Sequence, residues 1–303
     1  VRPPALFAGA RVALIAPAGC VTEQRTAAAV SRCEALGLEP LLFPGVRQRT
    51  GYLAGPDDVR AADLQAAFDR SDIDAVWAIR GGYGLIRLLE HIDLARLRRR
   101  PRPYIGFSDN TALLMLLHEA GIVSFHGPHP GADFPPETEQ SFRAALFEGG
   151  PQRVLARPGD PQPVPLRNGS ADAPLIGGNL AILASLCGTR FAPDTRGHIL
   201  FLEDISEPVY RIDRMLMQLR LSGLLDDIAG LAFGRFTDLG DVEPGRDLKA
   251  LFGEVADSLG IPAIMDLPIG HVEHNFTVPL GVMARLDADN GTLELLEAGV
   301  EQR

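Results

Sequence analysis

Short apolar runs alternate with segments of helical period through the first half of the chain, and each run leaves through a glycine- or proline-bearing turn. Residues 12–16 (VALIA) exit into Pro17-Ala18-Gly19, and residues 23–36 then carry helical spacing that stops at Gly37. Residues 40–43 read as the next strand. In residues 57–70 (DDVRAADLQAAFDR), Val59, Leu64, Ala67 and Phe68 fall near one face, and acids occupy the first turn where the helix dipole favours them. A strand at 75–79 runs into Gly81-Gly82, followed by a helix at 85–92, a strand at 104–107, a helix at 111–120 and a strand at 121–125. This alternation predicts an α/β class protein, with a parallel sheet covered by helices on both faces. Ligands of such sheets gather at the carboxyl ends of the strands. Four strand exits therefore matter most: PAG at 17–19, RGGYG at 80–84, GFSDN at 106–110 and HGP at 126–128.

The composition shifts after Glu148 to Pro, Gly, Arg and Asp with little periodicity. Residues 149–174 read as a linker or long loop. The expected division is an N-terminal α/β domain at 1–148 and a smaller, β-rich α/β domain at 175–303. The second part holds a GGN turn before a small-residue helix within 175–187, a strand at 199–203, a helix at 210–223 and further short apolar runs.

Length and charge narrow the function. The 303 residues provide material for one large or two medium domains, and the net charge is −10. Nucleic-acid binding leaves a basic footprint, and the one basic run, RLRRRPR at 96–102, has no aromatic residue interleaved. It reads as a solvated helix end, so no nucleic-acid partner is expected. Three widely spaced cysteines, Cys20, Cys33 and Cys187, argue against a disulfide framework or a zinc site and fit a reducing compartment. No run reaches the ~20 apolar residues of a membrane span, and VALIA is too short for a signal-peptide core.

Ser108 stands on a sharp strand-to-helix turn, where a serine is presented at the top of a sheet with a helix N-terminus behind it. Ser, Asp and Asn before an apolar helix are also ordinary caps. RGGYG lacks the lysine and spacing of a nucleotide loop, but its glycines permit close backbone approach to an oxyanion. In the second half, the apolar strand ILFLE ends in Glu203-Asp204, with Glu207 beyond. Acids there can orient a histidine base or pair with Arg211 or Arg214. His271, in LPIGHVEHN, is a strand-end histidine; with His274 it lacks the H-E-x-x-H spacing of a metal pair. His126 in FHGP reads as a structural or substrate-contact residue. The order Ser108, Glu203, His271 is compatible with a triad, which needs geometry rather than proximity in sequence. Two other classes fit parts of the pattern: a non-catalytic binder of small anions, and an amidotransferase-like hydrolase using Cys20.

The ordered set of motifs resembles the LD-carboxypeptidases, or muramoyltetrapeptide carboxypeptidases. It runs from VALIAPAG through GYLAGPDDVRAADLQAAF, AVWAIRGGYG, YIGFSDNTALL and FHGP. It continues with LIGGNLAIL, FLEDISEPVYRIDRMLMQL, LPIGH and VPLGVMARLD. The resemblance implies a two-domain serine peptidase with Ser108 as nucleophile, Glu203 as acid and His271 as base. It places the oxyanion donors at the backbone N–H groups of Asp109 and Gly82. It further implies no metal and no organic cofactor, a homodimer, a cytoplasmic location, and a murein-derived peptide substrate that loses its terminal D-alanine. Arg80, Tyr83, His126 and Arg211 are the candidate substrate contacts, with Arg80 and Arg211 the cations for a terminal carboxylate. One branch of the family acts on microcin C-type peptidyl-nucleotides and holds the base with aromatic residues of a loop. Residues 149–174 contain no Trp, Tyr or Phe, and the only Trp is Trp77, which favours the cell-wall branch.

Overall fold

The computed structural model describes residues 1–240 and 246–302. The alternation in the first half becomes five parallel strands. These are β1 (Arg11–Ile15), β2 (Glu39–Leu42), β3 (Ala75–Ala78), β4 (Tyr104–Gly106) and β5 (Ser124–His126). Four helices lie between or beside them: α1 (Glu23–Ala35), α2 (Asp57–Asp69), α3 (Leu94–Arg99) and α4 (Thr111–Glu119). All residues of β3 and the first seven of α4 are buried, as expected for parallel strands covered on both faces. The helix expected at 85–92 is a 3₁₀ helix over residues 85–91. Leu85 and Leu88 bury one edge three residues apart, which is the 3₁₀ repeat.

The region after α5 (Pro136–Arg143) corrects the expected linker. Residues 149–174 contain β6 (Gln152–Val154), β7 (Val164–Arg167) and the first half of β8 (Ser170–Asn179). β6 and β7 are the two edges of the second sheet. Edge strands tolerate Pro165 and need no alternating pattern, so their sequence looked like loop. The chain continues through α6 (Leu180–Leu186), β9 (Ile199–Ile205), α7 (Val209–Leu221), β10 (Gly230–Thr237), α8 (Leu248–Leu259) and β11 (Ala263–Met265). It ends with β12 (Val278–Leu280), β13 (Met283–Asp287) and β14 (Thr292–Leu295).

The second sheet has the order β6-β14-β13-β8-β9-β10-β11-β7, with β8 to β11 parallel and the flanking strands antiparallel. The first sheet has the order β12-β5-β4-β3-β1-β2. Its outer strand β12 comes from the second half of the chain and pairs antiparallel with β5. Residues 175–303 are therefore not confined to one sheet. Arg102, read as part of a solvated run, is buried and donates to the carbonyls of Ala67 and Arg70 at the end of α2. That is a C-terminal cap, where a cation meets otherwise unpaired carbonyls.

The two halves also meet at the start of α4. The backbone N–H of Asn179 donates to Thr111 Oγ1 at 3.0 Å. A Cβ on Gly178 would stand 2.5 Å from that oxygen, and Gly178 holds φ +148°. Gly177-Gly178-Asn179, expected as a turn, is the end of β8, and Gly178 must be glycine for that strand to reach the start of α4. Gly178→Ala is expected to cost about 2 kcal/mol or more, through overpacking and backbone strain. Urea unfolding of the variant against wild type measures this, and equal midpoints would refute it.

Candidate active site

Ser108 occupies a strained turn. Phe107 is extended, Ser108 adopts φ +63°, and a 3₁₀ turn over Ser108–Asn110 leads into α4. A positive φ on a residue with a side chain costs free energy and persists only where neighbours enforce it. Here the neighbours are visible. Asp109 Oδ2 accepts from Leu85 N at 2.8 Å, and Asn110 Nδ2 donates to Phe107 O at 2.9 Å. Tyr104 donates its hydroxyl to Asn110 Oδ1 at 2.5 Å. Asp109 and Asn110 therefore brace the turn instead of capping α4, and the Ser108 side chain is left uncommitted. Burial pushes the Asp109 carboxyl up to about 6, against the pull of the Leu85 N–H and Arg60.

The RGGYG exit lies directly against this turn. A Cβ on Gly81 would come within 2.9 Å of Ser108 Cβ and 3.1 Å of Asp109 N. Glycine at 81 keeps the space beside the Asp109 N–H open. Gly82 has φ +101°, and Gly19 N donates to Gly81 O at 3.0 Å, joining the first two strand exits.

Glu203 and His271 come together from the second sheet. Glu203 lies in β9, fully buried, and its Oε2 is 2.7 Å from His271 Nδ1. A Cβ on Gly270 would stand 2.5 Å from the same oxygen. The glycine before the histidine is what lets the ring reach the acid. Gly270 N donates to Asn275 Oδ1 at 3.0 Å, and Thr237 donates to His271 O at 3.3 Å, so the loop is fixed on both sides. The ring packs on Phe107 with centroids 4.8 Å apart. Burial pushes the Glu203 carboxyl up, but the facing His126 and His271 rings outweigh it and hold the group below the usual carboxylate range. Burial lowers the His271 pKa, and the Glu203 hydrogen bond and charge more than reverse this, leaving it above 6.5.

Ser108 and His271 line one cavity of about 330 Å³ with Arg25, Arg80, Gly81, Gly82, Phe107, His129 and Ala132. Among the described residues the Ser108 hydroxyl makes no hydrogen bond to the ring; such contacts commonly tighten only when substrate is bound. Asp204 and Glu207 are otherwise engaged. Asp204 accepts from Asn179 Nδ2 and the N–H groups of Ala181 and Ile205, and Glu207 pairs with Arg211 at 3.6 Å. Only the first acid of the cluster meets a histidine.

The other expected contacts separate. Arg80 lines the cavity and donates to Cys20 O at 2.9 Å. Tyr83 lies outside the lining and faces Tyr52 at 5.8 Å between ring centroids. His126 does not reach the cavity: it is fully buried, 3.8 Å from Glu203 Oε1. Arg211 is also outside, held on α7 by Glu207. His274 lines a different groove, with Glu137, Arg157 and Phe276. The Cys20 thiol lies 3.9 Å from Gly51 O, and its residue serves Arg80 through the carbonyl. Sequence reasoning missed Arg25 and His129. Arg25 follows a helix-capping Thr22 and reads as an ordinary exposed helix residue. His129 stands one residue past HGP, and that proximity was the only signal available.

Comparison with known proteins agrees with this architecture. The LD-carboxypeptidase N-terminal domain matches residues 12–127, and the LD-carboxypeptidase C-terminal domain matches residues 172–286. The murein tetrapeptide carboxypeptidase of Pseudomonas aeruginosa is 39% identical, with 92% of this chain and 94% of that protein covered. The crystal structure of muramoyltetrapeptide carboxypeptidase from Oxalobacter formigenes is 32% identical with a TM-score of 0.83, covering 95% of this chain and 98% of the other. The structure of MccF in complex with glutamyl sulfamoyl guanosine is 22% identical with a TM-score of 0.90, covering 99% of both chains, and is a likeness of fold. The protein is a serine-type carboxypeptidase. The chain belongs to the LD-carboxypeptidase family.

Because Glu203 holds its proton, His271 should titrate above 6.5. Glu203→Gln removes the opposing charge, so the His271 midpoint should fall. NMR titration of His271 in the two proteins measures this; an unchanged midpoint would refute the coupling.

Proposed function

We propose that this protein releases the terminal D-alanine from murein-derived L,D-tetrapeptides, using Ser108 as nucleophile, His271 as base and Glu203 as orienting acid. The observation that carries the reading is the 2.7 Å Glu203–His271 contact, with the ring exposed to the cavity that also holds Ser108. Glu203 on Nδ1 leaves Nε2 free to take the Ser108 proton as Oγ attacks the scissile carbonyl. The resulting oxyanion is received by the backbone N–H groups of Asp109 and Gly82, a type of contact worth ~3 kcal/mol in the transition state. His271 then protonates the departing amine, and water releases the acyl-enzyme.

The substrate's free carboxylate is met by Arg80, with Arg25 as the second cation. None of the nine lining residues is acidic, although the whole chain carries −10. Arg80 is held in place: its guanidinium leans over Gly19 and Gly82, where a Cβ would come within 3.3 Å of its nitrogens. Its Nε is buried with no hydrogen-bond partner among the described residues. One residue spans at most ~3.6 Å, so the carboxylate of a bound D-alanine lies close to the scissile carbonyl. The murein substrate follows the name of the Pseudomonas relative, and the connections between β6, β7 and β8, residues 155–163 and 168–169, carry no aromatic side chain that could hold a base. The cytoplasmic location and homodimer implied by the family resemblance belong to the same proposal.

Ser108→Ala is expected to lower D-alanine release from an L,D-tetrapeptide by on the order of 10⁴-fold or more while the protein stays folded. Undiminished release would end the nucleophile assignment, and faster cleavage of a peptidyl-nucleotide by wild type would redirect the substrate. Arg80→Gln should cut kcat/KM for the free-acid peptide about tenfold to a hundredfold and leave the C-terminal amide unaffected. Equal losses on acid and amide would exclude carboxylate recognition.

A further inference from the structure

His126 lies outside the cavity yet faces Glu203, and its surroundings are specific. It ends β5, opposite Gly106 of the nucleophile's strand and Val278 of β12. Its ring lies edge-on to Phe107, at 5.7 Å between centroids, and to Phe201, at 5.0 Å. Phe107 precedes Ser108, and Phe201 stands two residues before Glu203 on the same face of β9. The ring therefore sits between the element carrying the nucleophile and the strand carrying the acid.

Among the described residues, both ring nitrogens of His126 are buried without a hydrogen-bond partner, and so is Glu203 Oε1. Native proteins rarely leave buried polar atoms unpaired. Here donor and acceptor face one another, His126 Nε2 standing 3.8 Å from Glu203 Oε1. An approach of under ~1 Å makes this an ordinary hydrogen bond. The other carboxylate oxygen is already taken by His271 at 2.7 Å.

We infer that His126 is a positioning residue for the acid: its Nε2–H serves Glu203 Oε1 while His271 Nδ1–H serves Oε2. The carboxylate is then held by one ring on each oxygen. It cannot rotate away from His271, and it stays charged in a site without water contact. The inference rests on the reading of Ser108, His271 and Glu203 as catalytic. The other titratable and charged groups around this line are Asp204 beside Glu203, engaged by Asn179 and two backbone N–H groups, and His129, Arg25 and Arg80 on the cavity side.

The sign of the effect follows from the geometry. Removing the N–H from Oε1 makes Glu203 a stronger partner for a protonated His271, so the His271 midpoint rises. His126→Phe keeps a ring between Phe107 and Phe201 but deletes the donor. His126→Gln keeps an N–H. NMR titration of His271 in the unliganded protein should show a rise of about half a pH unit or more for H126F, and a wild-type midpoint for H126Q. The acid limb of kcat/KM should move with it, kcat falling severalfold at constant KM. An unmoved midpoint in H126F, or equal shifts in both variants, would overturn the inference. Should H126F not fold, His126→Leu takes its place. A serine-directed probe that fails to label Ser108 in wild type would count instead against the catalytic reading, and the His271 titration would still decide the role of His126.

Discussion

The hydrogen bond from Asn179 N to Thr111 Oγ1 does more than join two elements. Thr111 begins the helix that follows Ser108, and Asn179 ends the strand paired in register with Glu203. One contact of 3.0 Å therefore fixes the height of the acid strand relative to the serine turn. It requires a glycine at 178, because any Cβ there would occupy the place of the threonine oxygen. Asn179 extends the junction through its side chain, which donates to Asp204 and accepts from Ile182 N at the start of α6. Thr111, three residues after Ser108, and Asp204, the neighbour of Glu203, are thus tied together through Asn179.

A similar economy explains the acids and amides around the serine. Asp109, Asn110 and Asp204 are buried and hydrogen-bonded to backbone, and each braces a turn. Glu203 differs because its partners are rings rather than backbone. Burial raises the cost of its charge, and that cost is offset only while histidines face it. The consequence is a mutual dependence: His271 is basic because Glu203 is charged, and Glu203 stays charged because histidines face it.

Much of this was legible in the sequence. The strand–helix alternation identified the parallel sheet, and the strand exits marked both Ser108 and the glycines that crowd it. Glu203 could be named from its place at the end of an apolar strand, but its separation from Asp204 and Glu207 needed either family resemblance or coordinates. Three features were not legible for physical reasons. Edge strands β6 and β7 bury too little on either face to impose a period. Arg102 looks like its exposed neighbours until the end of α2 is placed beside it. His126 could be marked at a strand exit but its partner could not, because Glu203 lies on β9 of the other sheet, and β12, which pairs with the strand of His126, returns from more than a hundred residues away.

That returning strand also bears on how the site is assembled. His271 lies on a connection clamped at one end by the bridge between Arg235 and Gly270 and at the other by β12, which pairs with β5 of the first sheet. Between these ends, Thr277 N donates to Ser141 Oγ and Thr138 donates to Glu273 O, adding tethers to α5. Parting the two sheets would break the Thr111 contact and strain the connections by which the chain enters and leaves β12, a strand held in the first sheet by β5. Each hydrogen bond lost in such an opening costs ~1 kcal/mol net, and more where groups are left buried and unpaired. Preorganisation of the serine and histidine elements is therefore built into the chain path. The cavity between these elements is lined by the two cations Arg25 and Arg80.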